Sequence, residues 1–143
     1  MTIEGEAREV ALAEAQAVLA HGGQKYATLV AAVDAGEVEG DDEQLLESVL
    51  ELGLQTGRIR AYYGPGGEQA AIATLRKLPR GRERSESARD VSAALQTLVG
   101  AQLGGLKIAA VSPGAFTLSI EADGVEASIR LDGNGARLTS LGT

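Results

Sequence analysis

The segment GRIRAYYGPGGEQ, residues 57–69, sets Arg58, Arg60, Tyr62 and Tyr63 beside a Gly-Pro-Gly-Gly turn. Guanidinium and phenol groups at that density suit two kinds of chemistry. One is recognition of an anion; the other is anchoring of a protein partner, where Tyr and Arg are enriched among the residues that carry binding energy. A helix restarting near Pro65 would add free backbone N–H groups to Arg58, Arg60, Arg76 and Lys77, which suits a phosphate or carboxylate. The turn lacks the Lys-Ser/Thr of a P-loop and the spacing of a dinucleotide fingerprint, so a helix–helix corner explains its glycines and proline equally well.

Other reactive groups are sparse. His21 is the single histidine, placed before two glycines at an expected helix end, where an imidazole interacts with the helix dipole. With no cysteine there is no thiol nucleophile, redox pair or thiolate metal site. Glu37, Glu39, Asp41, Asp42 and Glu43 crowd one turn and the start of a helix, a place where solvated acids are expected. DGNGAR from Asp132 begins like a calcium loop, but Ala136 takes a ligand position and the chain ends at Thr143 before an acidic closing ligand. No catalytic residue, metal or cofactor is expected.

Charge divides the chain. Residues 1–57 hold twelve acidic and two basic side chains, residues 58–84 two acidic and seven basic, and residues 85–143 six acidic and four basic, within a net charge of −7. An acidic protein with one basic island is not built for general attraction to nucleic acid, yet the island can dock a phosphate or an acidic surface. Its members Arg58, Arg60, Tyr62, Tyr63, Arg76, Lys77, Arg80, Arg82 and Arg84 form the candidate partner- or anion-binding set.

Within the island, LELGLQTGRIRAYYG resembles the helix-turn-helix of MerR-type regulators through Gly53-Leu54, Ile59-Arg60 and Tyr62-Tyr63. The resemblance implies Arg58 and Arg60 on DNA. Gly57 at the reading helix, the acids around Leu45 and the distance from the N-terminus depart from that pattern, so no family membership is assigned.

These residues need elements to hold them. Aromatic residues make up only 3% of the chain, so the core must come from Ala, Leu, Val and Ile, which argues against a large apolar pocket. Helical spacing of apolar residues runs over 3–20, 24–35 and from Asp41 or Asp42 onward, bending near Gly53 or Gly57 and stopping at Gly64. A fourth helix carries EQAAIATLRKL and ends before Pro79. PRGRERSES, residues 79–87, has no apolar residue and reads as a basic linker between a helical module, 1–78, and a second module, 88–143. Ser85, Ala88, Val91, Leu95 and Leu98 mark an amphipathic helix over 85–103.

Beyond Gly105 the period changes to two. FTLSIEA and VEASIRL alternate apolar and polar residues around Asp123-Gly124, a type I′ hairpin signal. Strands at 106–112, 115–122, 125–132 and 136–141 follow, joined at Ser112-Pro113-Gly114 and Gly133-Asn134-Gly135. The expected fold is α+β: a bundle of about four helices, then one helix packed on a four-stranded antiparallel β-meander.

No stretch is long and apolar enough for a membrane span, and the acidic start is unlike a secretory signal, so a cytoplasmic location is expected. The functional expectation is a non-enzymatic protein–protein interaction or scaffold module, with self-association through a sheet edge or the long apolar helices. The alternative is a nucleic-acid-binding accessory protein using residues 58–84.

Overall fold

The computed structural model describes all 143 residues, and the chain divides into two compact units, Met1–Arg82 and Glu83–Thr143. The architecture is α+β, with five helices preceding an antiparallel meander. No helix is long and apolar enough to cross a membrane.

In the first unit, α1 (Gly5–Gly22), α2 (Ala27–Ala35), α3 (Asp41–Gln55) and α4 (Arg58–Leu75) enclose a core of small aliphatic side chains. A single 3-10 turn, Gln24–Tyr26, precedes α2. Val10, Ala11 and Ala15 of α1 meet Leu29, Leu46, Leu50, Ile59 and Ala71 in that core. Gly36 ends α2 in the left-handed conformation, its N–H donating to the carbonyls of Ala32 and Val33. No side chain caps α3: Gly40 stands at its N-cap, and Asp41, Asp42 and Glu43 instead occupy its first turn, where negative charge complements the dipole. The N-terminal strand-like segment is tied down by Ile3 N–H on Gly36 and Val38 N–H on Met1.

Gly57, at φ 74°, separates α3 from α4. The α4 helix is broken at Gly64, whose φ of 70° and ψ of −173° make the corner expected there. Pro65 begins the second segment, where its missing N–H costs nothing. Inside the bend a Cβ on Gly67 would stand 2.3 Å from Tyr63 Cβ, so the corner closes only over a glycine.

Residues 79–87 correct an expectation. They are helical, forming the first half of α5 (Pro79–Leu95) and not an irregular linker. Proline suits the first helical position and Arg and Glu are good helix formers, so the absence of apolar residues was no barrier. The buried Glu47 carboxylate supplies the missing cap, its Oε1 accepting the Gly81 N–H at 3.0 Å. The boundary between the two units falls within this helix.

The second unit carries the later turns of α5, a 3-10 turn at Gln96–Leu98, and strands β1 (Leu103–Ser112), β2 (Ala115–Ala122), β3 (Val125–Asp132) and β4 (Gly135–Gly142) in the order β1-β2-β3-β4. The helix is thus shorter than expected and β1 longer. Asp123 (φ 50°) and Gly124 (φ 80°) both take the positive φ of a type I′ turn. Cross-strand partners join Phe116 to Leu131, Leu118 to Ile129 and Ile120 to Ala127, which confirms one apolar face. A bulge after Ser128 returns both Leu138 and Leu141 to that face, opposite Ile129 and Ala127. Val91 of α5 is buried, and Leu95 and Leu98 border the same hollow as Ile120 and Ala122, so this helical seam covers part of the sheet.

Candidate binding groove of the helical unit

Charged residues on apolar helical stripes are the sharpest local anomaly of the first unit. Glu14 falls on the same face of α1 as Val10, Ala11 and Val18, and its side chain is buried. Burial of a carboxylate requires compensation. Arg58, the first residue of α4, donates from Nε to Glu14 Oε1 at 3.1 Å, and the Tyr63 hydroxyl donates to the same oxygen at 3.0 Å. The Arg58 guanidinium also lies 5.0 Å from the centroid of the Tyr62 ring, a cation–π contact.

Electrostatics follow from this cluster. The hydrogen bond and charge of Glu14 push the Arg58 pKa further up, which keeps it a cation. Burial, followed by the Glu14 hydrogen bond, raises the Tyr63 pKa above its ordinary value. Tyr63 therefore stays a neutral donor, while Tyr62 is 72% exposed.

Beside the cluster opens a groove of about 350 Å³ between α1, α3 and the start of α4. Ala17, Val18, Val49 and Leu52 give it apolar walls, Glu14 and Arg58 one polar end, and His21 another polar margin. This departs from the expectation, based on few aromatic residues, of no sizeable apolar pocket; aliphatic helix faces line it instead. Gly53 shapes its floor, where a Cβ would stand 2.7 Å from Ile59 Cδ1 and 3.0 Å from Glu14 Oε2. The His21 side chain makes no hydrogen bond, and no group of three or more acidic or imidazole side chains is placed to hold a metal.

The nine residues singled out by sequence do not form one cluster. Arg58, Tyr62 and Tyr63 come together around Glu14. Arg60 instead pairs with Glu68 at 3.2 Å. Arg80 pairs with Glu47 at 3.4 Å and with Glu51 at 3.3 Å, bracing the start of α5. Arg76 and Lys77, just past the end of α4, and Arg82, in the first turn of α5, are exposed without an ion pair. Arg84 belongs to the sheet unit, where its Cα would lie 3.6 Å from a Cβ on Gly135. At the glycine corner itself, the Glu6 carboxylate approaches Gly66, with Oε1 3.2 Å from the position of a Cβ. Three cations of the basic island are therefore countered by acids of their own unit, while Arg76, Lys77 and Arg82 stay open to solvent.

Sequence reasoning missed Glu14 and Glu47. The signal was present: each interrupts an apolar helical stripe, at Val10-Ala11-Glu14-Val18 and Leu46-Glu47-Leu50. A buried carboxylate in such a place announces a cationic or N–H partner elsewhere in the chain.

Fold and groove together define an α+β protein with an open groove in its helical unit. Comparison with known proteins adds no relative: no family model, no curated protein and no solved structure matches the chain.

Proposed function

We propose that the chain is a non-enzymatic protein–protein interaction module whose helical unit receives a partner's apolar side chain in the α1–α3 groove. The observation that carries this reading is an aliphatic groove left open to solvent, with Leu52 56% exposed on its wall and the Arg58–Glu14–Tyr63 cluster fixing its polar end. Interfaces of this kind combine a central apolar anchor with a few oriented polar groups. The partner segment carries basic residues around its apolar anchor, because thirteen acidic side chains face eight basic ones in residues 1–82.

This reading is favoured over nucleic-acid binding because Arg58, Arg60 and Arg80 are already engaged by carboxylates of the same unit. Photo-crosslinking tests it. A photoreactive residue at Leu52 should give a discrete protein adduct in cells that make the chain, and one at exposed Ala61 on α4 should not. Equal labelling from both positions, or none, overturns it. Retention on nucleic acid that falls steeply with salt and weakens in Arg82→Ala would favour the alternative.

A further inference from the structure

Burial on the apolar face of the meander fades toward β1. Ala127 and Ile129 in β3 are buried, Leu118 and Ile120 in β2 are half-buried, and Leu106 and Ile108 in β1 are 64% and 61% exposed. Leu103 and Phe116 beside them are open as well. Strand order makes β1 an edge, so its outward N–H and C=O groups have no strand to pair with. The strand holds one charge, Lys107, paired beside Ser119 on the opposite face.

We propose that β1 pairs antiparallel with β1 of a second copy of this chain, about a two-fold axis through Ile108, to make one eight-stranded sheet. Bulges limit the regular run to Gly105–Ala110. Centring on Ile108 sets Ile108 against Ile108 of the second copy and Leu106 against its Ala110, so apolar meets apolar on one face. Lys107 then lies opposite an alanine, Ala109. Moving the axis to Lys107 would oppose two lysines, which is unfavourable.

Size supports the same occupant. The open side chains of Leu103, Leu106, Ile108 and Phe116 form a patch on the order of 500 Å², at which a surface patch marks an interaction site. Pairing in the plane of the sheet sets the two patches side by side on one face, so that Leu106, Ile108 and Ala110 of both copies pack against one another across the new seam. The other edge, β4, presents Arg137, Thr139 and Ser140, so pairing of β1 with β4 and open-ended growth are disfavoured. This inference concerns the sheet unit and does not depend on the groove of the helical unit.

The absence of cysteine makes the test direct. Opposed residues of antiparallel strands lie about 4.5–5.5 Å apart at Cα, within disulfide range. Full-length Ile108→Cys should oxidise to a covalent dimer, Lys107→Cys alone should not, and a mixture of Lys107→Cys with Ala109→Cys should. Sedimentation should find the unmodified chain dimeric and Ile108→Lys weaker in dimerisation by at least about tenfold, as for loss of a central anchor. A monomer at the highest soluble concentration, or a dimer that crosslinks equally from all three positions, overturns the proposal. So does a chain that crosslinks through residue 108 only to a different protein. The crosslinking pattern decides the matter even where Ile108→Lys fails to fold.

Discussion

A Cβ on Gly81 would stand 1.7 Å from the carbonyl oxygen of Leu75. The last turn of α4 and the first turn of α5 therefore approach each other through a position that admits no side chain. Because the obstructing atom belongs to the backbone, rotamer changes cannot relieve the clash. Gly81→Ala should destabilise the first unit by at least about 2 kcal/mol, as overpacking of a closed site does. Gly133→Ala, where a Cβ meets nothing within 4 Å, should stay within about 0.5 kcal/mol of the parent. Urea unfolding followed by tyrosine fluorescence measures the first effect, since Tyr26, Tyr62 and Tyr63 all lie in that unit. Far-UV circular dichroism follows the second.

Glu47 explains why that close approach is worth making. Its buried carboxylate holds the Gly81 N–H, and Glu47→Ala should cost about 2 kcal/mol by leaving that donor buried and unsatisfied. Glu47→Gln keeps an acceptor oxygen for Gly81 and should recover more than half of the loss. Arg80 is half exposed, so its ion pair contributes little by itself. The same unfolding measurement separates the two variants.

Tyr63 should ionise above the ordinary phenol range. Burial and then the Glu14 hydrogen bond raise its pKa in the folded state, so its contribution to stability is present below the unfolded value near 10 and is lost as pH rises through the folded value. Ultraviolet titration of the phenolate band should show a delayed step that Tyr63→Phe removes. Glu14→Gln should bring that step only part of the way back, because burial is the larger cause.

Asp132 works with the opposite sign. The Asn134 backbone N–H, with Arg130 and Arg137, holds its pKa below 3.8. Its contribution is therefore complete above that unfolded value and is lost as pH falls through the lower folded value. Asp132→Asn should flatten this acid dependence of the sheet unit. It also leaves Arg130 directly opposite Arg137 with no shared carboxylate, a like-charge pair across β3 and β4. Circular dichroism melts between the acid range and neutrality measure both effects.

The sheet was legible in the sequence because each of its signals is local. Alternation in FTLSIEA and VEASIRL, with Asp123-Gly124 between them, defines register within a few residues. The bulge beside Thr139 escaped because it depends on which β3 residues Leu138 and Leu141 must face. Helicity at 79–87 escaped for a related reason: the segment has no apolar stripe, and its cap comes from Glu47, thirty-four residues earlier. Proline followed by Arg and Glu was nevertheless a readable helix start.

The candidate groove was less legible than the fold. Arg58, Tyr62 and Tyr63 stood out by composition, but their organiser, Glu14, lies forty-four residues before Arg58. Nothing in a linear pattern says which cation a buried acid will meet. Arg60 and Arg80 drew attention for the same positive charge, yet geometry spends them on neighbouring acids.

Ala11, Ala15 and Ala71 are buried between helices, as are Gly53 and Gly67. A seam built from the smallest side chains brings helix backbones close and leaves no larger group to trim. Its tolerance of sequence drift should accordingly be lopsided: removing a methyl group is a small loss, while adding one has nowhere to go. Descendants of this sequence would then be expected to vary freely around the bundle's rim while keeping this narrow line of minimal residues, so that the line itself would be the easiest trace by which to recognise them.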